Sequence, residues 1–439
     1  MFKETSKELL NFLSKSPTAF HAVENYRQIL NADGFKELLE SEHWDIVPGG
    51  KYYVTRNNTS ILAFKVGTKL DNYSFNIVTS HTDSPTFKVK ENAEIEVKNK
   101  YTQLNTEGYG GMLCATWLDS PLSIAGRVLV SEGNSIVTKL LNIDRDLLMI
   151  PNVAIHMNRA ANDGFKYNLQ VDMLPLLSGG DDRQKDFKQI IADELGVKKE
   201  DILGHDLYLY NRMAPSIWGA NEEFISAGHL DDLQCGFASL KALLAGYNDE
   251  SIDIMACFDN EEVGSGTKQG ADSTLLRDTL IRINNALGKT EEDYHRALAS
   301  SFMLSADNAH AVHPNHPEHT DVTNCTYMNE GVVVKSHAGQ KYTSDGVSMA
   351  VVKSLASGAD VPLQYFANRS DKAGGSTLGN IAMAQASMNA VDIGLPQLAM
   401  HSSYETAGIK DTYYAISLMK ALFDSHIQET STHSLEIKR

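Results

Sequence analysis

The sequence predicts an α/β fold broken by a β-rich inserted domain, and three observations carry that reading. Apolar runs of strand length alternate with helix-like repeats before about residue 92 and again after about 225. Between those points the texture changes to short β-rich runs, such as IEVKN and SIAGRVLVSEG, separated by glycine-rich turns such as YGG and LSGGDD. Four strand-like runs outside the insertion stop at a His, Asp or Glu: NIVTS-HTD, IMACF-DNEE, FMLSA-DNAH and QLAM-HSSYE. The expected division is 1–91 and 226–439 as one discontinuous domain, with 92–225 inserted. A chain of 439 residues has room for two or three domains at roughly 100–200 residues each.

The elements follow in order. Leu9, Leu10, Phe12 and Leu13, then Val23, Tyr26 and Leu30, fall at helical spacing within 5–34. Ser16-Pro17 interrupts that helix and Asn31 to Gly34 ends it. Residues 51–66 read as a hairpin turning at Asn57-Asn58, and 74–80 as a buried strand running into His81. After 226 come a helix at 231–246, a strand at SIDIMACF and helical sequence near 270–300. A strand at SFMLSA, strand-rich sequence near 331–335, a helix near 344–356, a strand at LPQLAM and a helix near 408–424 complete the domain. The tail HIQETSTHSLEIKR is polar and is expected to fray.

Composition narrows the function. Hydrophobic residues make up 42% and charged residues 22%, the balance of a soluble globular protein. Acidic residues outnumber basic ones, 56 to 39, for a net charge of −17, which repels phosphate backbones and argues against nucleic acid. The N-terminus has no signal-peptide core, and no apolar run reaches the roughly 18–20 residues of a membrane span. Cys114, Cys235, Cys257 and Cys325 form no CxxC pair and read as buried thiols of a reducing, cytoplasmic setting.

The four strand endings carry the chemistry, because open α/β sheets place ligands outside the carboxyl ends of their strands. His81 offers an imidazole, with Asp83 two residues on to orient it. Asp231, before an apolar helix, reads equally as a helix N-cap and as a carboxylate bridging two metals. Glu261 and Glu262 are adjacent carboxylates at a strand end, a costly pairing unless a cation lies between them. One of them would ligate and the other take up a proton; spacing does not say which. Asp307 ends the third strand, and His401 ends LPQLAM. His310, His313, His316 and His319 recur at three-residue intervals, but Pro314 and Pro317 break any helix through them, so they are expected to be loop residues. Together the set suits two divalent ions about 3.5–4 Å apart, Zn2+ or else Co2+ or Mn2+.

Competing motifs are missing. There is no HExxH and no GxSxG. Gly288-Lys289-Thr290 ends like a phosphate-binding loop, but Ile283 stands where that loop needs glycine. The glycine after Gly264-Ser265-Gly266 is Gly270, one residue too far for GxGxxG.

Longer segments resemble the aspartyl aminopeptidase family of co-catalytic zinc exopeptidases, which includes a yeast vacuolar aminopeptidase. They are SPTAFHAVENYRQIL, KYYVTRNNTSILAF, HTDSPTFKVK, YGGMLCATWLDSPLSIAGRVLV, AIHMNR, HLDDLQCGFASLKAL, FDNEEVGSGTKQGA, SADNAHAVHPN and GLPQLAMHSSYE, spread over roughly 5–425. The resemblance implies a mixed-sheet zinc-exopeptidase catalytic domain and makes the insertion a dimerisation domain. It implies that two Zn2+ ions are held terminally by His81, Glu262, Asp307 and His401 and bridged by Asp231. Glu261 becomes the general base and acid, and Asp83 the partner of His81. It further implies a homo-oligomer of dimers assembled into a tetrahedral dodecamer, with His156 of AIHMNR reaching a neighbour's active site. Peptides are the implied substrates, losing an acidic or neutral N-terminal residue. The loop Arg369 to Gly379 matches only in part, lacking the D-T-P-C-G-like run of aspartyl-preferring eukaryotic members. Lys372 and Gly375 in that loop are the candidate substrate-binding residues.

Overall fold

The first two helices, Phe2–Ser14 and Ala19–Ala32, form where the apolar spacing places them, and the break falls at Ser16-Pro17. Leu9, Leu10, Phe12 and Leu13 are buried on the first, and Val23, Tyr26 and Leu30 on the second. This is a computed structural model, and it describes residues 1–180 and 186–439. Asp181 and Asp182 of the LSGGDD turn lie outside the described residues.

A nine-stranded mixed sheet forms the centre of the larger unit. Its order is Lys36–Glu37, Lys51–Arg56, Ser60–Val66, Ser251–Phe258, Ser74–His81, Phe302–Ala306, Asn389–Gly394, Val332–Lys335, Leu363–Phe366. Lys51–Arg56 and Ser60–Val66 are the expected hairpin, with Asn57 and Asn58 both at positive φ in the turn. The three strands around His81 run parallel, so Phe258, His81 and Ala306 all finish on one edge. These central strands are buried from end to end because both faces are covered, and they are mostly apolar, with Asn76 and Asp253 among the few polar residues inside them. Val78, Met255 and Leu304 meet Leu233, Phe237 and Leu418 of the helices Leu230–Ala245 and Asp411–Phe423 on one face. Ile77, Ile254 and Met303 meet Leu275, Leu276 and Leu280 of the helix Leu275–Ala286 on the other.

The β-rich region builds a separate antiparallel sheet of six strands. Its order is Ser135–Asn142, Leu122–Glu132, Ile202–Asn211, Thr86–Val97, Tyr101–Tyr109, Leu176–Gly179. Phe87, Trp117, Val128 and Leu207 lie in a core of its own. One helix, Phe187–Leu195, packs on it although only strands were expected there. Its signals are ordinary: Asp186 caps the N-terminus through the Gln189 amide, and Gly196 closes the helix at φ 64. The strand Phe224–Ala227 belongs elsewhere. It pairs with Glu405–Gly408 in a five-stranded sheet that also holds Pro396–Leu398 and Ala309–His310.

Two further expectations fail. The tail does not fray: His426–Ser431 and Ser434–Lys438 form a hairpin with His426 and Ile427 buried and Ile437 against the main core. Alternation of apolar and polar residues in SLEIK outweighs the polar composition. LPQLAM is not the last strand of the main sheet. That strand is Asn389–Gly394, and Pro396–Leu398 has moved to the smaller sheet, ending three residues before His401.

Asp253 sits inside the central strand Ser251–Phe258 and is almost fully buried. Burial pushes its carboxyl up to about 8, against hydrogen bonds from Ser251 and Asn76 and the charge of Lys65. The folded value lies above the unfolded one of about 3.9. The contribution to stability is therefore full below about pH 4 and is lost as pH rises toward 8. Asp253→Asn stays neutral and keeps an oxygen for Ser251 and Asn76. Its advantage over the wild type in thermal unfolding is expected to grow between pH 5 and pH 8, by a few kcal/mol in order of magnitude. A pH-independent difference contradicts this.

Candidate metal centre

Four of the expected residues come to the carboxyl edge at or shortly after the ends of their strands. His81 is the last residue of Ser74–His81, Asp307 follows Phe302–Ala306, and the turn Glu261–Val263 comes three residues after Phe258. Asp231 comes from the first turn of Leu230–Ala245, where its φ/ψ are non-helical and the peptide to Asp232 is cis. His401 comes from a turn beyond Pro396–Leu398, at φ 69. The carboxylate of Asp231 acts as no cap. Its Oδ1 lies 3.5 Å from His81 Nε2 and its Oδ2 lies 3.5 Å from His401 Nε2. Glu262 Oε1 is 3.4 Å from the same His401 nitrogen.

Possible ligand atoms fall into overlapping trios, each within 4.8 Å: His81, Asp231 and Asp307; Asp231, Glu262 and His401; and His81, Glu261 and Glu262. Asp231 is common to the first two. Both imidazoles are fixed by backbone carbonyls. His81 Nδ1 is 3.0 Å from the Asp83 carbonyl, and His401 Nδ1 is 2.9 Å from the Gly111 carbonyl. A carbonyl only accepts, so each Nδ1 carries a hydrogen, and a ring that gives up its Nε2 proton to become a metal ligand would turn that lone pair toward the carboxylates. Asp231 Oδ1 and Glu262 Oε1 are buried with no hydrogen-bond partner among the described residues. Two imidazole lone pairs facing orphaned buried carboxylate oxygens make a donor set that fits zinc.

The supporting shell is largely carboxylate. Asp83 accepts the backbone N–H groups of Glu261 and Glu262, each at 3.1 Å. Asp232 Oδ2 accepts the N–H of His81 at 3.1 Å. Glu405 accepts the N–H of Asp231 at 3.0 Å and that of His401 at 2.8 Å, so one side chain ties two candidate ligands together. Buried Lys335 lies 3.6 Å from Asp307 Oδ1 and donates to the Asn308 carbonyl at 2.7 Å.

So many buried acids cannot all ionise without cations. Burial pushes Glu261 up to about 8, with Asp307 and Asp83 adding to it against His81. Glu262, Asp232 and Asp307 are likewise raised by burial. For Asp231, burial is outweighed by the hydrogen bonds of His401 and His81, which hold it well below the usual carboxylate range. Burial lowers His401, but Asp231 and Glu262 overcome it and bring the ring to about 10.

Comparison with known proteins agrees with this geometry. Residues 12–423 match the family model "Aminopeptidase I zinc metalloprotease (M18)". The chain belongs to the M18 family of zinc metalloaminopeptidases. It is 47% identical over 425 residues to a probable M18 family aminopeptidase 2 of Clostridium novyi, covering 95% of this chain and 98% of that one. Among solved structures it is similar to a chain in the cryo-EM structure of the Ape4 and Nbr1 complex. The TM-score there is 0.93 at 34% identity, over 96% of this chain and 86% of that one. The S. cerevisiae mApe1 dodecamer gives 0.84 at 27% identity, over 96% and 97%.

The remaining candidate residues of this M18 aminopeptidase belong to none of the trios that make up the cluster. His156 is exposed in a turn of the β-rich region, in a stretch without strands. Lys372 and Gly375 are exposed in the loop after Leu363–Phe366. Lys372 borders a cavity of about 230 Å3 with His310, His313 and Arg369, and no member of the cluster lines it. His313 and His316 are loop residues and His319 ends the short 3-10 turn Pro317–His319. The rings of His313 and His316 are tilted at 5.4 Å and those of His316 and His319 stack at 5.5 Å, with His316, Glu318 and His319 close together on the surface. Among the described residues, no helix is long and apolar enough to cross a membrane. All four cysteines are free.

Sequence reasoning missed Glu405, Lys335 and Tyr109. Glu405 carried a signal, a carboxylate four residues after His401 in HSSYE. Lys335 carried a weaker one, a lysine closing the apolar strand VVVK. The hydroxyl of Tyr109 donates to Asp83 at 2.7 Å.

Proposed function

We propose that this M18 chain removes the N-terminal residue of peptides with two zinc ions, held by His81 and Asp307 on one side and Glu262 and His401 on the other, and bridged by Asp231. The observation that carries the reading is the sharing of Asp231, whose two oxygens face different histidines and which belongs to both trios. Co2+ or Mn2+ would suit the same donors. When bound, such ions polarise a carbonyl and acidify water.

The chain's own residues do the rest. Glu262 stands in the trio with Asp231 and His401, whereas Glu261 belongs to neither trio that holds Asp231. Glu261 is therefore the base: it takes the proton of the attacking water and returns it to the leaving amine. Asp83 keeps the Glu261–Glu262 turn and His81 in place. Lys372 and Gly375 are proposed to meet the side chain of the first residue, acidic or neutral.

Assembly belongs to the same proposal. The inserted domain, 92–225, would pair two chains into a dimer, and the dimers would assemble into a tetrahedral dodecamer, as the S. cerevisiae neighbour is a dodecamer. Val153, Ile155, Met157 and Val171 around His156 are exposed apolar residues, a surface suited to burial against a second copy. His156 would then reach the neighbour's active site. A cytoplasmic setting fits the free thiols.

The test is dependence on the free amine. A panel of aminoacyl substrates and short peptides is assayed beside N-acetylated counterparts. Hydrolysis of free-amine substrates with no turnover of acetylated ones is expected. Equal turnover of both moves the chain to a deacylase or endopeptidase reading.

A further inference from the structure

The strand Tyr101–Tyr109 of the six-stranded sheet ends against the metal centre, and the next residues continue along it. The Tyr109 hydroxyl donates to Asp83 Oδ2 at 2.7 Å and accepts from Asn260 Nδ2 at 2.8 Å. Asp83 in turn accepts the amides of Glu261 and Glu262. Asn260, at φ 61, immediately precedes that turn. Gly110 has φ 74, and a Cβ on it would lie 3.1 Å from Glu262 Cβ and 3.4 Å from Pro85 Cα. The Gly111 carbonyl holds His401 Nδ1, and the Leu113 amide donates to the His401 carbonyl at 2.9 Å. One strap from the β-rich sheet therefore touches both sides of the cluster.

We propose that Tyr109, Gly110 and Gly111 are the positioning residues of the metal centre, through which the β-rich sheet sets the placement of Glu261, Glu262 and His401. The proposal rests on the roles given above to those three residues. Tyr109 is saturated, donating once and accepting once. Removing its hydroxyl leaves Asn260 Nδ2 without that acceptor and Asp83 Oδ2 with the Glu262 amide alone. The turn carrying the base then loosens. Gly110 acts sterically: its positive φ suits glycine, and a side chain would press on Glu262. Gly111 fixes the tautomer of His401 through its carbonyl, which any residue supplies. Its contribution is placement, set by Gly110 before it.

Tyr109→Phe keeps the ring and its edge-to-face packing on Tyr208, so folding is preserved. It is expected to lower kcat on the best aminoacyl substrate by about 10–100-fold with KM within about twofold. Asn260→Ala should show the same defect, and the double variant should be no worse than either alone. Gly110→Ala should lose zinc to a competing chelator at a tenfold lower chelator concentration than the wild type. Tyr101→Phe, at the exposed far end of the same strand, serves as the control and should match the wild type in both assays. A Tyr109→Phe enzyme with wild-type kcat, or additive losses in the double variant, overturns the proposal. So does a Gly110→Ala chain that folds and holds zinc as tightly as the wild type. If the wild type binds zinc yet hydrolyses no aminoacyl substrate, the aminopeptidase reading fails by itself, and the chelator competition alone decides the strap.

Discussion

Glu261→Gln is expected to lower turnover of aminoacyl substrates about 1,000-fold while the zinc content stays unchanged. A positioned proton-transfer group contributes roughly 10²–10⁴-fold, and the amide cannot take a proton from water at neutral pH. The substitution keeps the shape of the side chain. It also leaves intact the backbone amide that Asp83 holds. Glu261 lies outside both trios that share Asp231, so removing its charge leaves a full set of five ligands. The two glutamates separate cleanly in this experiment. Glu262→Gln should lose zinc as well as activity, because Glu262 Oε1 faces His401 and is otherwise unpaired among the described residues. Zinc loss in Glu261→Gln with retention in Glu262→Gln would reverse the two roles.

The second large effect is expected at Asp231. Asp231→Asn keeps the volume of the side chain and one oxygen, but its amide nitrogen is no ligand. Each oxygen of Asp231 now faces a different histidine. A single oxygen serves one side only, so the second zinc should bind more than 100-fold more weakly. Even residues that merely support a ligand typically cost 10–100-fold in metal affinity or activity. Activity should fall with it, and excess zinc should not restore it fully. The residue is held on both flanks, by Glu405 at its amide and by Ser84 at its carbonyl. The loss therefore belongs to the side chain and not to a displaced backbone. Zinc content is read by elemental analysis after dialysis, and two tightly held ions in Asp231→Asn would contradict the bridge.

Much of this site was legible because its chemistry interrupts a pattern. A strand buried on both faces is mostly apolar, so an imidazole or carboxylate at its end is conspicuous. That logic found His81, Asp307 and the Glu261–Glu262 pair, and the structure places all of them on one edge of the sheet. Asp231 was ambiguous because an acid before an apolar helix is also a cap. Only the position of its oxygens separates the readings. His401 was found for a partly mistaken reason, since its strand lies in the smaller sheet. Tyr109 and Lys335 act across long stretches of sequence, and nothing in their neighbours announces the partner. YGG read as a turn because glycine marks turns and close approaches alike; here it is a close approach to Glu262. The tail was misjudged by composition, although Ile427, Leu435 and Ile437 supply the apolar side of a hairpin.

The most direct test of the account is a zinc titration of the metal-free chain, followed simultaneously by bound metal and by aminopeptidase activity. The account predicts two ions per chain in the wild type and in Glu261→Gln, activity only in the wild type, and no more than one tightly bound ion in Asp231→Asn. Full activity at one ion per chain, with Asp231→Asn titrating like the wild type, would contradict it.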